Sequence, residues 1–324
     1  MTAIYKNIRA SIKRQDRLFA VLIDPDKTSV NKIPVFIDKI NRSIATHIFV
    51  GGSVVDDHKT DVLIEEIKKF TKLPIVLFPG DITQISNKAD ALLFLSLISG
   101  RNPEYLIGKH VDSVSKLKST NLEVIPTGYV LVENGKQTSV ERVTHTKPIS
   151  RDNIECIVNT AKAGELLGMK LIYLEAGSGA LEPVTSDIIS SVKRGLSIPL
   201  IVGGGIRTIG QLENAYNSGA DLVVIGTALE EDDSFFEQLK QKLENVKWPG
   251  RLQTIDHKPF TILDGAHNED SAQVLLESVR KIFSFEKLVL IYSTLVDKEY
   301  DSVIKILSPA ADTVYYIEGD SPRR

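Results

Sequence analysis

Eight short, nearly unbroken apolar runs recur along the first three quarters of the chain, all but the fifth ending in small or polar residues. They are LFAVLIDPD at 18–26, HIFVGGS at 47–53, PIVLFPG at 74–80, ALLFLSLISG at 91–100, LEVIPTGYVLV at 122–132, LIYLEAGSG at 171–179, PLIVGGG at 199–205 and DLVVIGT at 221–227. A strand with one wet face alternates apolar and polar residues, whereas a parallel strand covered on both faces by helices does not. The segments between most runs carry amphipathic helical patterns. Eight such units within about 250 residues predict one (β/α)8 barrel. Helix boundaries are clear between the seventh and eighth runs, where Thr208 and Gln211 have the spacing of a capping box and Gly219 is placed to end the helix. The link between the third and fourth runs, DITQISNKAD, is too short for a full crossover helix, so a reduced or missing helix is expected there.

The texture changes near residue 247. TILDGAHN reads as a strand ending in a turn, Ala272, Leu275, Leu276, Val279 and Phe283 recur at helical spacing, and KLVLIYST reads as a further strand. Two domains are therefore expected, a barrel at 1–246 and a small α/β segment at 247–324. The second is short for a stable core of its own.

Composition narrows the function without naming it. The chain has 324 residues, is 42% hydrophobic and 25% charged, and has a formal net charge of -3, which supplies no basic footprint for nucleic acid. A single cysteine, Cys156, excludes an internal disulfide and fits a reducing compartment; the N-terminus lacks the apolar core of a secretory signal. The expected location is the cytoplasm. Any anion must be bound by local geometry.

That geometry is suggested by the glycine turns IVGGGIRT at 201–208 and VVIGTALE at 223–230. In a barrel, the loops after strands 7 and 8 commonly hold phosphate, because glycine lets backbone N–H groups approach the anion. Asp24 in DPDK and Ser53 in GGSVV fall at adjacent strand ends and could share a hard cation, completed by water and substrate phosphate. Asp24 and Asp26 equally suit the capping of a turn. Glu175, at the end of the sixth run, could accept a proton or hydrogen bond from a substrate hydroxyl, or serve in a structural ion pair. The histidines show no metal-ligand spacing, and Cys156 falls in a predicted helix as a packing residue. A phosphosugar- or flavin-binding barrel would use the same glycine turns.

Taken together, LIDPDK, FVGGS, VLFPG, LSLISGRNPEYLIG, VIPTGYVLVENG, IYLEAGSG, IVGGGIRT and VIGTALE resemble the geranylgeranylglyceryl phosphate synthase family over residues 5–243. The resemblance implies a magnesium-dependent prenyltransferase that joins sn-glycerol 1-phosphate to a long polyprenyl diphosphate such as geranylgeranyl diphosphate. It places Mg2+ on Asp24 and Ser53. The glycerol phosphate site falls on Tyr173, Leu174, Glu175, Ala176, Gly177, Ser178, Gly179, Gly204, Gly205, Gly226 and Thr227. Glu175 becomes the candidate to orient the acceptor hydroxyl and take its proton, and Tyr105 and Leu106 become candidates to set chain length. A homo-oligomer is implied too, and a lipid donor implies transient contact at the membrane periphery. The tail, with WPGRLQ, ILDGAHN, STLVDKEYDSVIKILSP and DSPRR, is similar to part of the C-terminal domain of folylpolyglutamate synthases of the Mur ligase group. Those ligases use a GxxxxGK[ST] loop for ATP, and the chain contains none. A gene fusion, an appended interaction module that docks another protein, or a recombined reading frame would each fit such a tail, and in the alternative reading it is a docking remnant. In that family Asp264 and His267 would sit near the ATP-binding cleft; without the partner domain they suit turn and cap roles.

Overall fold

The computed structural model describes residues 4–52, 59–226, 229, 253–257, 259–266, 269–283, 285–293 and 300–317. The chain divides into two compact units, Met1–Glu244 and Asn245–Arg324.

In the first unit, eight parallel strands close into a barrel in sequence order: β1 (Leu18–Ile23), β2 (His47–Val50), β3 (Ile75–Leu77), β4 (Ala91–Leu97), β5 (Glu123–Leu131), β6 (Leu171–Glu175), β7 (Leu200–Gly203) and β8 (Leu222–Ile225). Closure is made by β8 against β1, with Leu18 opposite Leu222 and Val21 opposite Ile225. The unbroken apolar runs have two destinations. Phe19, Val21 and Ile23 of β1 and Ile172 and Leu174 of β6 join the layer between strands and helices. Ala20, Leu171 and Tyr173 fill the barrel interior. Both faces are dry, which is why the alternation of period 2 is invisible in hydrophobicity.

The outer helices are α2 (Ile33–Asn41), α3 (Lys59–Lys68), α4 (Lys109–Leu117), α5 (Ser139–Thr144), α6 (Ile154–Leu166), α7 (Ser186–Gly195) and α8 (Ile209–Asn217). The capping box at Thr208 and Gln211 is present, and Gly219 follows α8 at φ +109°. An additional helix, α1 (Ile4–Lys13), precedes β1; its Ile4 and Ile8 join the interior cluster. The backbone N–H groups of Ile4 and Tyr5 donate to the carboxylate of Glu123, the first residue of β5. Two of the orphan donors at the start of α1 are thereby satisfied, and the helix closes the N-terminal end of the barrel.

Between β3 and β4 a single 3-10 turn, Ile82–Gln84, replaces a crossover helix. Gln84 is 2% exposed and braces two loops at once: its amide donates to Gly52 O at 2.8 Å, and its carbonyl accepts from the N–H groups of Gly52 and Gly80. Both polar atoms of the buried amide are thus hydrogen-bonded, as burial demands.

The second unit contains an antiparallel hairpin, Gln253–His257 with Phe260–Leu263, and a parallel pair, Val289–Tyr292 with Thr313–Tyr316. Helices Glu269–Ile282 and Tyr300–Leu307 accompany them, around a small core of Ala272, Tyr292, Val303 and Leu307. Both expected strands and the expected helix are present. The hairpin's first strand, the second helix and the last strand were not assigned from the sequence pattern. Asp264 accepts a hydrogen bond from Ala266 N–H at 2.8 Å, the turn role expected of it, while His267 lies outside the described residues.

Candidate active site

The loops at the C-terminal ends of the strands enclose a polar cavity reached by Asp24, Gly52, Tyr173, Glu175, the 177–179 loop, Gly204, Gly205 and Gly226. With Phe78 and Tyr129, seven of the eight strands or their ends contribute to it. The sequence expectations at 24, 173, 175, 177–179, 204–205 and 226 therefore converge in space. Ser53 and Thr227 lie outside the described residues. Leu174 and Ala176 require a correction: strand alternation turns their side chains into the layer beneath the helices, where both are fully buried. They can offer a ligand backbone groups only, and the N–H of Ala176 already donates to Gly203 O at 3.0 Å.

Glu175 is the chemical centre of this cavity. It is 5% exposed, accepts from Gly177 N–H at 2.6 Å and is hydrogen-bonded to the Tyr173 hydroxyl. Burial raises its carboxyl to about 7, against the opposing pull of the Tyr173 and Gly177 hydrogen bonds. A carboxylate at that value exchanges protons near neutrality, as a general base must. The Tyr173 and Tyr129 hydroxyls are pushed well above their ordinary range, first by burial and then by the Glu175 charge, so both remain neutral.

The neighbouring glycines leave room for Glu175 and for a ligand. A Cβ at Gly204, whose φ is +83°, would lie 2.3 Å from Glu175 Oε1 and 2.6 Å from Gly177 N. Gly205 has φ +73° and leads through Arg207 into the capped N-terminus of α8. Backbone N–H groups, the positive end of α8 and the side chains of Lys27, Arg142 and Arg207 at the cavity wall make the site anion-binding in character. Lys27 and Arg207 were quoted within DPDK and IVGGGIRT without roles, and Arg142 falls in no quoted motif, because a cation's meeting with a distant loop leaves no local pattern.

Asp24 ends β1 with its side chain about one-fifth exposed at the same cavity. Oδ1 accepts from Asp26 N–H at 3.0 Å, a turn-forming contact, and Oδ2 lies 3.6 Å from Lys27 Nζ. Asp26 is engaged by Lys59 at 2.8 Å. Opposite Asp24, the bare backbone of Gly52 leaves its carboxylate room, since a Cβ there would fall 2.9 Å from Oδ1. Among the described residues no group of three or more His, Cys, Asp or Glu could hold a metal. One carboxylate facing an anion-binding cavity suits magnesium, a hard ion that takes few protein oxygens and shares phosphate oxygens with its substrate.

A second, apolar cavity adjoins the first. Leu93, Leu95 and Leu97 of β4, Phe78, Val140 and Tyr105 line it, and Ile82 and Ile85 border it where the crossover helix is missing. Tyr105 thus lines this cavity. Leu106 instead borders a separate groove with Cys156 on the flank of the barrel, and its carbonyl accepts from Ser96 Oγ at 3.0 Å. His110 also lines the apolar cavity, its ring edge-on to Phe94 at 4.4 Å and its acidity raised by burial. Gly52, Phe78, Tyr129 and Val140 border both cavities.

Comparison with known proteins agrees with this geometry. Residues 10–247 match the PcrB family, and residues 250–324 match a domain described as Mur ligase, glutamate ligase domain. The chain is 53% identical over 237 residues to the geranylgeranylglyceryl phosphate synthase of Flavobacterium johnsoniae, covering 73% of this chain and 98% of that protein. It is 57% identical over 223 residues to that of Zunongwangia profunda, covering 69% and 94%. The crystal structure of (S)-3-O-geranylgeranylglyceryl phosphate synthase from Thermoplasma acidophilum, in complex with its substrate sn-glycerol-1-phosphate, superposes with a TM-score of 0.70 at 33% identity, covering 76% of this chain and 99% of that one. The chain belongs to the PcrB family, and its barrel is a prenyltransferase of the geranylgeranylglyceryl phosphate synthase type.

Proposed function

We propose that the barrel joins sn-glycerol 1-phosphate to a long polyprenyl diphosphate, with geranylgeranyl diphosphate as the donor, in a magnesium-dependent reaction. The observation that carries this reading is the meeting of the anion-binding cavity around Glu175 with the apolar cavity along β4. One accepts a small phosphorylated alcohol and the other an isoprenoid chain. A phosphosugar or flavin barrel would leave the apolar cavity without a use.

The phosphate of the acceptor is held by the glycine loops of β7 and β8 and by the positive end of α8. The one of its two free hydroxyls that reacts then points back to Glu175, which orients it and takes its proton. The leucines of β4 hold the donor's tail and exclude water, and Tyr105 limits its length. Asp24, with Ser53 as a second oxygen, would hold magnesium, which when bound supplies neutralisation of the leaving diphosphate. The reading includes a homo-oligomer and a transient encounter with a lipid surface to collect the donor. Among the described residues no helix is long and apolar enough to cross a membrane. We read the second unit as a noncatalytic docking remnant, since the chain carries no GxxxxGK[ST] loop.

The acceptor half of the reading is tested by calorimetric titration with sn-glycerol 1-phosphate. The unaltered protein is expected to bind it, and Gly204→Ala to lose at least about tenfold in affinity, because a methyl group at φ +83° must displace the Glu175 carboxylate or strain the backbone. Equal affinity in the two proteins would remove the β7 loop from the site.

A further inference from the structure

Three aromatic rings stand where the two cavities meet. Phe78, from the end of β3, and Tyr129, from β5, border both cavities, and Tyr173, from β6, borders the polar one. Ring centroids are 5.2 Å apart for Phe78 and Tyr173, 5.4 Å for Tyr129 and Tyr173, and 6.0 Å for Phe78 and Tyr129, with interplanar angles of 69°, 42° and 40°. Farther along the apolar cavity β4 presents Leu93, Leu95 and Leu97, and the other rings there, Phe94, Tyr105 and His110, line that cavity alone. The rings that meet at the junction stand beside the carboxylate, which is hydrogen-bonded to the Tyr173 hydroxyl.

This inference rests on the prenyl-transfer reading. With the donor's tail in the apolar cavity and the acceptor in the polar one, the reacting carbon has to lie at their junction. There the C1–O bond to the diphosphate breaks, and its electron pair leaves on the diphosphate oxygen. The positive charge is shared between C1 and C3 of the allylic unit until the acceptor hydroxyl oxygen donates a pair to C1 and its proton passes to the Glu175 carboxylate. A cation above an aromatic face is attracted by the ring quadrupole, more strongly when water is excluded, and leucine offers no such attraction. We propose that Phe78 and Tyr129 are catalytic residues whose ring faces stabilise the allylic cation where the two cavities join, with Tyr173 packed against both rings as their positioning residue.

The test is a series of fluorinated phenylalanines at position 78, which keep the shape of the ring while weakening its quadrupole, read by the single-turnover rate of transfer. The logarithm of the rate is expected to fall steadily with each fluorine. Tyr129→Leu and Phe78→Leu are expected to slow the same step by about 10-fold to 30-fold with affinity for sn-glycerol 1-phosphate retained, and Tyr129→Phe to recover most of the rate lost in Tyr129→Leu. The retained affinity shows that the variants fold. A rate that stays flat across the fluorine series, or leucine variants that raise KM for the donor at an unchanged rate, would overturn the proposal and leave the rings as a wall of the cavity. Absence of transfer in the unaltered protein would overturn the functional reading and this proposal with it, a result distinguishable from transfer that ignores the rings.

Discussion

Glu175→Gln is expected to slow transfer by about 100-fold to 10,000-fold, the range over which a positioned general base contributes. The substitution keeps the size of the side chain and leaves an amide oxygen to accept from Gly177 N–H, so affinity for sn-glycerol 1-phosphate should change little. The pH profile supplies the sharper prediction. Burial raises the carboxyl to about 7, and a base acts only when ionised, so kcat/KM of the unaltered enzyme should rise with pH through about 7. In Glu175→Gln that rise should disappear. A profile that keeps its inflection would mean that another group takes the proton.

The same shift predicts a change in stability. The folded-state value lies above the 4.5 of the free group, so the folded protein binds this proton more tightly than the unfolded chain does. Stability from this group is fully present below about 4.5 and is lost as pH rises through about 7. The cost at pH 8 is on the order of 3 kcal/mol. Glu175→Gln should therefore be more stable than the unaltered protein at pH 8 and lose that advantage near pH 4, as read by denaturant midpoints at the two pH values. A constant difference between the proteins would contradict the burial argument.

The second large effect is expected at Asp24. Asp24→Asn keeps the turn contact to Asp26 N–H and removes the charge, so it separates the metal role from the turn role. Turnover in magnesium should fall by about 100-fold or more, since a hard cation on a leaving phosphate contributes several kcal/mol. The folding midpoint should barely move, because the Asp24 pair with Lys27 is long and its lysine is half-exposed, and such pairs contribute under about 1 kcal/mol. Glycerol phosphate binding measured without magnesium should also persist. Full turnover in Asp24→Asn would remove the metal from this strand end.

The parts of this protein that were legible in its sequence are those where one physical demand dominates locally. Strands buried on both faces must be apolar throughout, which exposed all eight, and the short β3–β4 link could hold no helix. Backbone at positive φ beside a ligand loop must be glycine, which exposed 177, 179, 204 and 205. What escaped depends on distant partners. The α1 helix resembles any amphipathic surface helix until Glu123, more than a hundred residues away, caps its backbone. Gln84 looks like an ordinary turn residue, and only the tertiary structure shows its amide joining the loops after β2 and β3. Leu174 and Ala176, whose side chains turn away from the site, escaped for a different reason. A motif read as a continuous block ignored the alternation that sends Tyr173 and Glu175 inward and Leu174 outward. Tyr129 and Phe78 were quoted within motifs without roles, since their meeting requires the barrel to close so that side chains at the ends of β3, β5 and β6 reach one interior.

The central claim is that one barrel holds a phosphorylated glycerol and an isoprenoid chain across a shared junction and joins them. It is tested most directly by incubating the protein with labelled sn-glycerol 1-phosphate, magnesium and a panel of polyprenyl diphosphates, and then extracting with organic solvent. Label that enters the organic phase only with magnesium and a prenyl donor present is the predicted result, and the best donor in the panel reports the length of the apolar cavity. Label that stays in water with every donor, while sn-glycerol 1-phosphate still binds, would contradict it.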